Sequence, residues 1–400
     1  MFRKIVYILI TLFVFVAGAY FIATKYFHID ENAVKTLVES PSQDVVKLIN
    51  ENPTNSGPFT IYGDYKIGIF ADLGEKAPRV LSFDNSGTLF TSITGKGEIL
   101  ALPDADADGK ADRIEVVSKG LNRPHGIVFY NDYFYIAETD RVVRYKYGSD
   151  RKLGEKEFLF NLPGGGRHFT RTIKVYENKL YTSVGSSCDV CVEKEIDRAS
   201  ILVSDLDGSN LNVFATGLRN TVFFDFAPSG SSGEVKIWGS DMGRDFLGDN
   251  LPPDELNVIE NGGNYGWPWC YGNKAIDSDF NRNAGFDCSV TRASEFNYPA
   301  HNAPLGTTFI KSGVLPKSYE GDLLVSFHGS WNSTSKVGYK IVRIDIENGK
   351  AVDMKDFITG FADSKGNVIG RPVDLVFDSK GNLYISDDKA NVVYVLTKKN

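Results

Sequence analysis

Strongly polar side chains, most of them arginine or histidine, recur at the beginnings of apolar segments along the chain. The positions are Arg79, His125, His168, Arg171, Arg219, Asn220 and Arg371. A purely structural protein gains little from placing cations at equivalent points of successive segments, whereas guanidinium groups bind carboxylates through paired, charge-assisted hydrogen bonds. If the segments converge, this pattern predicts a site for a ligand that carries several negative charges.

A second group of residues has the spacing of a calcium loop. Asp104, Asp106 and Asp108 alternate with alanines before Gly109, and Glu115 stands at the twelfth position, as in an EF-hand loop. The flanking residues are typical of a strand and a turn, so a helix-loop-helix unit is not expected. Two interpretations remain open, a structural Ca²⁺ that stiffens this turn and a solvated acidic turn without a metal.

Four cysteines lie in the middle of the chain, at positions 188, 191, 270 and 288, and they allow three pairings. Because each close pair falls within one loop region, we predict the disulfides Cys188–Cys191 and Cys270–Cys288. A redox or zinc role for the first pair is the alternative, but no βαβ pattern and no second ligand pair with zinc spacing accompany it.

Six similar units position these residues. Each unit has an apolar strand, a tight turn and a second apolar and aromatic strand. The units begin near residues 79, 124, 171, 220, 304 and 371, with a long insertion between the fourth and the fifth. A repeat of this length built from hairpins predicts an all-β fold, a six-bladed β-propeller, whose ring the strands 65–71 and 391–396 would close. A β-sandwich would give no reason for six similar units.

The N-terminus has the pattern of an export signal. Arg3 and Lys4 precede an apolar run from Ile5 to Ala23, and Ala17-Gly-Ala19 fits a cleavage site. A cleaved signal and an uncleaved membrane anchor both fit this run, and either places the remainder outside the cytoplasm. We therefore predict a signal or anchor helix at 1–24, a linker with a short helix at 25–60 and the propeller at 61–400.

The net charge of the chain bears on its partners. A net charge of −7 without a basic run argues against a nucleic acid partner.

Several longer motifs occur in a fixed order from about residue 65 to the C-terminus. They are Gly166-Arg-His-Phe-Thr-Arg171, Gly217-Leu-Arg-Asn220, Ser240-Asp-Met-Gly-Arg244, Leu251-Pro-Pro-Asp-Glu-Leu-Asn257, Asn264-Tyr-Gly-Trp-Pro268, Tyr298-Pro-Ala-His-Asn-Ala-Pro-Leu305 and His328-Gly-Ser-Trp-Asn332. This succession resembles the glucose and sorbosone dehydrogenase family of quinoproteins, most closely its sorbosone dehydrogenase-like branch.

The resemblance implies a site above the central channel that holds pyrroloquinoline quinone (PQQ) and Ca²⁺. An aldose or a related sugar alcohol or aldehyde would be oxidised there by hydride transfer, and a membrane quinone or a cytochrome would accept the electrons. His168 would be the general base, and the backbone carbonyls of Gly243 and Arg244 would bind Ca²⁺. The expected cofactor contacts are Arg171, Arg219, Asn220, Trp331, Lys336 and Arg371, and His125 and His301 would either line the site or cap turns.

Two departures from the family put glucose in doubt as the substrate. Ser186 stands where soluble glucose dehydrogenases carry an Asp behind the catalytic His, and Thr221-Val222 replaces a Pro-Gln pair. Without that carboxylate we expect no strongly raised His168 pKa, so activity should rise with pH through about 6.5. A metal-dependent propeller lactonase and a non-catalytic binding propeller are the alternative functions.

Overall fold

Alternating apolar residues and tight turns form antiparallel strands over most of the chain. The structure, a computed structural model, describes residues 42–51, 56–148, 151–227, 236–363 and 365–399. The predicted signal or anchor segment at 1–24 lies outside the described residues. Within the described part of the chain, no helix has the length and apolar character needed to cross a membrane.

In the described part of the chain six sheets correspond to six blades, and a seventh, two-stranded sheet lies in an insertion. Before the first blade come the helix α1 (Ser42–Glu51) and the strands β1 (Thr60–Ile61) and β2 (Tyr65–Asp72). Blade 1 contains β3 (Leu81–Phe83), β4 (Leu89–Ile93), β5 (Glu98–Leu102) and β6 (Glu115–Ser118). Blade 2 contains β7 (Ile127–Tyr130), β8 (Tyr133–Ala137), β9 (Arg141–Tyr147) and β10 (Leu153–Asn161). Blade 3 contains β11 (Ile173–Tyr176), β12 (Lys179–Val184), β13 (Ser200–Asp205) and β14 (Asn212–Thr216).

The fourth blade is interrupted by the long insertion. It begins with β15 (Thr221–Phe226), β16 (Ile237–Asp241) and β17 (Asp254–Ile259). The insertion carries β18 (Gly263–Asn264), β19 (Cys270–Tyr271), β20 (Ala275–Ile276) and a 3₁₀ turn at Cys288–Val290, and β21 (Phe296–Tyr298) then completes the blade. Because β18 pairs in parallel with β14, the insertion also extends the sheet of blade 3.

The last two blades include strands from the N-terminal region. Blade 5 contains β22 (Pro304–Phe309), β23 (Leu323–Phe327), β24 (Lys340–Glu347) and β25 (Lys350–Thr359), with a 3₁₀ turn at Lys317–Tyr319, and β1 pairs with β25. Blade 6 contains β26 (Pro372–Phe377), β27 (Leu383–Asp387) and β28 (Val392–Lys398), and β2 is its outer strand. The register Ile67↔Leu396 joins the two chain ends, so the predicted six-bladed fold and its closure are confirmed.

Aromatic residues fill the spaces between adjacent blades. Between blades 1 and 2, Phe90 meets Phe129 edge-on with ring centroids 4.8 Å apart, and Phe129 in turn stacks on Phe134 of its own blade at 4.1 Å. Between blades 3 and 4, Tyr176 stacks on Phe226 at 4.5 Å. Each blade therefore buries its faces only against its neighbours, which explains why a closed ring is needed.

The helix α1 packs against this body. Val45 and Ile49 are almost fully buried and belong to one apolar cluster with Phe59, Ile310 and Tyr394. The sequence predicted a short helix in the linker at 25–60, and the described helix Ser42–Glu51 lies within that linker and packs against blades 5 and 6.

Both disulfides have the predicted pairing, Cys188–Cys191 and Cys270–Cys288. The second one closes the insertion between β19 and the 3₁₀ turn. The first one lies in the loop after β12, directly beside the residues described next.

Candidate active site at one end of the channel

The polar residues that precede the inner strands come together at one end of the channel. In each blade the first strand begins at this end, and the second strand returns to it and finishes there. Asp241 at the end of β16 accepts hydrogen bonds from the backbone N–H groups of Arg219 (2.8 Å) and Asn220 (2.6 Å). Asp387 at the end of β27 accepts one from the N–H of Arg371 (2.9 Å). A buried carboxylate thus fixes the turn that carries the predicted site residues.

Burial changes the protonation of these carboxylates. It raises the pKa of Asp241 to about 6 and that of Asp387 to about 6, even though each accepts several backbone hydrogen bonds that oppose the shift. Near neutral pH both remain acceptors, so the turns that they hold stay in place.

His168 lies close to Asn220 at the rim of this end. Its Nδ1 is 2.8 Å from Ser186 Oγ. A Cβ atom at Gly185 would lie 2.6 Å from His168 Cβ and 2.7 Å from Asn220 Oδ1, so glycine is required for this approach. Burial, followed by the charges of Arg219 and Arg167, lowers the pKa of His168 to about 2. The expectation of titration near 6.5 is therefore wrong, since the ring is neutral throughout the usual pH range.

Arg219 is held by a loop that the sequence did not indicate. Its guanidinium donates to the Asp189 backbone oxygen (2.8 Å), to Asp189 Oδ1 (2.6 Å) and to the Met242 oxygen (3.2 Å), and the residue is 4 % exposed. Asp245 and Arg167 pair with each other and extend this network to the rim. Burial raises the pKa of Asp245 to about 6, and its neighbour Asp189 adds to the increase, while Arg219 opposes it. Arg219 thus anchors the Cys188–Cys191 loop to blade 4.

Arg171 is the predicted contact whose geometry supports a different role. The side chain is fully buried, and its guanidinium donates at 2.8 Å to the backbone oxygens of Pro163, His168 and Thr170. All three acceptors belong to the segment that carries His168. Arg171 therefore braces this segment from below, and nothing in its geometry supports a cofactor contact.

Arg371 differs from Arg219 in its partners. Its Nε donates to the His328 backbone oxygen (3.0 Å) and its Nη2 to the Gly329 oxygen (2.6 Å). Within the described residues it has no ion pair with a carboxylate within 4 Å. The guanidinium has five N–H groups, so three remain for a ligand after these two bonds.

His328 is a neighbour of Arg371 that was not predicted as a site residue. Its Nε2 is 2.8 Å from Asp388 Oδ1, and Asp388 Oδ2 is 2.6 Å from Arg79 Nη1. This chain of contacts joins blades 5, 6 and 1 beneath the site. The position of His328 at the start of the His-Gly-Ser-Trp-Asn motif was the available signal.

Loops from three blades form the rim. The Trp331 ring lies 5.5 Å from Arg167 Cζ and meets Phe246 edge-on at 5.9 Å. Lys336 donates to the Gly366 oxygen at 2.6 Å, on the loop that leads into blade 6. Trp331 is thereby placed beside Arg167, the residue that precedes His168, whereas Lys336 contacts the loop that leads to Arg371.

The turn with the predicted calcium ligands is tightly packed. The N–H of Gly243 donates to Asp254 Oδ1 (2.9 Å), and a Cβ there would lie 2.8 Å from Pro252. Arg244 donates to Asp277 Oδ2 (2.9 Å) and so ties the turn to the insertion. The turn offers backbone carbonyl oxygens, which are ligands that Ca²⁺ prefers.

The other two histidines have local partners. His125 is 1 % exposed, its Nδ1 lies 3.3 Å from Thr172 Oγ1, and its Nε2 has no partner among the described residues. Burial lowers the pKa of His125 well below the usual value. His301 donates from Nε2 to the Gly248 oxygen at 2.7 Å and so caps the loop that contains Gly248.

The acidic loop lies at the opposite end of blade 1, because it joins the third strand to the fourth. One carboxylate oxygen from each of Asp104, Asp106 and Asp108 falls within 4.8 Å of the others. Glu115 instead pairs with Arg113 (2.6 Å) and Arg151 (3.4 Å). The predicted twelfth ligand is therefore not brought to the three aspartates, since it already belongs to β6.

A cavity of about 800 Å³ occupies the channel at this opposite end. It is lined by the inner strands of the blades and contains none of the predicted site residues. The candidate site is thus defined by converging polar groups and not by the large volume in the channel.

Comparison with known proteins assigns the family. The family model described as TrAA12-like matches residues 60–399. An uncharacterised protein of Borreliella burgdorferi is 32% identical over 348 residues, which cover 82% of this chain and 88% of that protein. The pyrroloquinoline quinone-dependent pyranose dehydrogenase of Coprinopsis cinerea is 23% identical, and the match covers 81% of this chain and 53% of the enzyme. The chain thus spans about half the length of that relative.

A solved structure shows the same fold. The calcium structure of the Trichoderma reesei carbohydrate-active enzyme of family AA12 superimposes with a TM-score of 0.73 at 20% identity, covering 85% of this chain and 97% of that one. These matches confirm the resemblance seen in the sequence, although none of them singles out the sorbosone dehydrogenase-like branch. Because the family model matches well over half of the residues, the chain belongs to the TrAA12-like family.

Proposed function

We propose that this chain oxidises an aldose or a related sugar alcohol or aldehyde with bound PQQ and Ca²⁺. The observation that carries the proposal is that one channel end holds both a neutral histidine, His168, and an arginine, Arg371, that has no carboxylate of the described residues within ion-pair distance. The names of two relatives add support, since one is a PQQ-dependent pyranose dehydrogenase and the other was solved with calcium.

The residues present fit this cofactor. PQQ is a flat ortho-quinone with three carboxylates, so its site needs cations, a flat apolar contact and hard oxygen ligands for the metal. Arg371 has N–H groups left for a carboxylate, and Trp331 provides an aromatic face beside Arg167. The turn at Gly243 and Arg244 would supply carbonyl oxygens to Ca²⁺. Asn220, whose Oδ1 is next to His168, would contact the quinone side of the ligand.

The chain's own residues would accept the proton, hold the walls of the site and bind the cofactor. When bound, the quinone supplies the acceptor for the hydride of the substrate carbon and Ca²⁺ the Lewis acid. His168, neutral at the working pH, takes the proton of the substrate hydroxyl. Arg219 does not need to touch the ligand, because its bonds to Asp189 and Met242 hold both walls of the site. Arg371 binds and orients an anionic edge of the cofactor.

Reconstitution tests the proposal. Titration of the cofactor-free chain with PQQ in a calorimeter should show tight binding with Ca²⁺ and much weaker binding with a chelator. Equal affinity in both cases would remove the metal from the proposal, and no binding at all would favour a non-catalytic propeller. The loaded protein should then reduce a redox dye with at least one aldose in a panel of sugars. Tight binding of the quinone without turnover on any sugar would contradict the enzyme activity alone.

The proposal includes a location outside the cytoplasm and an electron acceptor there, either a membrane quinone or a cytochrome. Two disulfides are typical of oxidising compartments, and the N-terminal pattern is typical of export. Fractionation of cells that express the full chain, with sequencing of its N-terminus, separates a cleaved signal from an anchor. Recovery from the cytoplasm with all four thiols reduced would contradict the location.

The three aspartates of the acidic loop are proposed to bind a structural Ca²⁺. Saturating Ca²⁺ at about 100 times its Kd should raise the free energy of unfolding by about 2.7 kcal/mol. The double variant Asp106→Asn, Asp108→Asn should lose this increase and still bind PQQ in a Ca²⁺-dependent way, because the loop lies at the other end of blade 1. Asp207→Asn, in an exposed turn of blade 3, is the matched control. An unchanged response of the double variant would show that the loop is a solvated turn.

A further inference from the structure

Ser186 is the residue against which the His168 ring is placed. It is fully buried, and its N–H donates to the Arg219 oxygen at 2.8 Å. The segments on either side also pair, since Arg167 N donates to Ser187 O (2.8 Å) and His168 N to Ser186 O (3.3 Å). The distance between the imidazole and the serine hydroxyl is thus set by the backbone and not by flexible side chains.

The hydroxyl of Ser186 has two neighbours that differ in whether they can donate a hydrogen bond. Its Oγ is 2.8 Å from the Cys188 backbone oxygen and 2.8 Å from His168 Nδ1. A carbonyl oxygen only accepts hydrogen bonds, and a serine hydroxyl has only one proton to donate. The contact with Cys188 therefore uses that proton, and towards His168 the hydroxyl can act only as an acceptor.

The protonation of the ring follows from this count. A neutral imidazole carries one N–H. A neighbour that can only accept a hydrogen bond places this proton on the nitrogen that it faces. We propose that Ser186 is a positioning residue that fixes the proton of His168 on Nδ1 and leaves the lone pair on Nε2 for the substrate hydroxyl. For Nε2 the described residues offer no hydrogen-bond partner, so this nitrogen is available to a ligand.

The loop after Ser186 holds the acceptor in place. The Cys188–Cys191 disulfide closes a short ring around this carbonyl, and Glu193 accepts hydrogen bonds from the N–H (2.6 Å) and hydroxyl (2.8 Å) of Ser187. A serine with a fixed carbonyl partner can thus select the same tautomer as a carboxylate would, without adding a negative charge next to the base. This inference rests on the proposed function, because it assigns a role to His168 in that reaction.

The tautomer can be measured without cofactor or substrate. The chain has five histidines, so selective ¹⁵N-histidine labelling and long-range ¹H–¹⁵N correlation spectra resolve them, and His168→Gln identifies the signal. We expect the cofactor-free full chain to show His168 protonated on Nδ1. A spectrum with the proton on Nε2 would overturn the proposal, and the deciding spectrum is that of the unmodified chain, since the variant serves only to assign the signal.

Variants at position 186 test the consequence for the rate. Ser186→Ala should allow the proton to move to Nε2 and slow quinone reduction by about 10- to 100-fold, less than the ~10⁴-fold cost of a fully wrong tautomer in a serine protease. The affinity for PQQ should not change, and Ser186→Thr, which keeps the hydroxyl, should restore most of the rate and the Nδ1–H signal.

A charged replacement gives a second, independent readout. Ser186→Asp also accepts from Nδ1 but adds a carboxylate, so the rate should acquire a dependence on pH that the parent lacks, in an environment that also contains Arg167, Arg219 and Asp189. A parent that turns over at the same rate as Ser186→Ala would refute the role of Ser186 and leave the proposed function intact. Correct tautomers with no turnover on any sugar would instead refute the proposed function.

Discussion

Replacing Arg371 with alanine should weaken PQQ binding by about thirty- to several-thousand-fold, which corresponds to about 2–5 kcal/mol for a lost contact to a partly buried anion. The structure gives the reason for expecting a large effect. Both backbone acceptors of this guanidinium, the carbonyls of His328 and Gly329, lie on one loop and orient it before the ligand arrives. No carboxylate of the described residues lies within ion-pair distance of this guanidinium, although Asp388 is near enough to feel its charge, so its free N–H groups remain available to the cofactor.

The measurement is a calorimetric titration of the variant with PQQ in the presence of Ca²⁺. Arg371→Lys keeps the charge but not the planar donor edge, and it should lie between the alanine variant and the parent. Arg141→Ala, which removes a partly exposed arginine of blade 2 that pairs with Asp140, is the surface control. Thermal unfolding of the ligand-free proteins should be similar in all of them. An alanine variant that binds PQQ as tightly as the parent would show that Arg371 only braces the loop at 328–329.

The blades could be predicted from the sequence because their signals are local. Apolar alternation and Gly or Asn turns place each hairpin within a few residues of its observed position, as at β11 and β12. The disulfides could be predicted for the same reason, since each pair lies within one loop region. The starts of the inner strands, and therefore the approximate composition of the site, follow from these hairpins.

The roles of the three arginines could not be predicted in this way. Arg171, Arg219 and Arg371 all precede inner strands, but one is bonded to carbonyls of its own segment, one to Asp189 and one to a loop of the neighbouring blade. These partners depend on tertiary contacts, which the residue type and its position in the sequence do not reveal. Asp189 and Asp388 were missed because their partners lie 30 and 309 residues away in the chain.

The acidic loop shows the opposite error, because a local sequence pattern was extended to a residue that the fold places elsewhere. Five defining positions of the twelve-residue EF-hand pattern match, yet the twelfth ligand of such a loop belongs to the helix that follows it. Here the strand β6 begins at Glu115 and pairs it with Ala101, so its carboxylate faces Arg113 and Arg151. The three aspartates depend only on the turn, and they are the part that comes together.

Replacing His168 with alanine should slow reduction of the bound quinone by about 10²–10⁴-fold, the usual contribution of a positioned general base. PQQ should remain bound, because the cation and metal contacts assigned to other residues hold it. The measurement is stopped-flow reduction by excess sugar, with the parent and the variant compared at the same quinone occupancy. His301→Asn is the matched control, since that ring is engaged with the Gly248 oxygen, and it should react at nearly the parent rate.

The dependence on pH distinguishes this site from one with an ordinary histidine. Burial, together with the charges of Arg219 and Arg167, lowers the pKa of His168 to about 2, and Asp189 only partly opposes them. The neutral ring is the active form of a base, and a lowered pKa means that protonation begins only far below pH 5. The parent rate should therefore show no step near pH 6.5 between about pH 5 and 9, the range around the unperturbed value.

The same shift has a consequence for stability whose sign can be worked out. In the unfolded chain His168 takes up a proton below about pH 6.5, whereas in the folded chain it does so only near pH 2. Acidification from pH 6.5 towards pH 2 therefore favours the unfolded state, and His168→Ala should lose less stability over this interval than the parent does.

For the reaction rate, a parent rate that falls through pH 6.5, together with an unchanged rate in His168→Ala, would show that the proton leaves the substrate through another group.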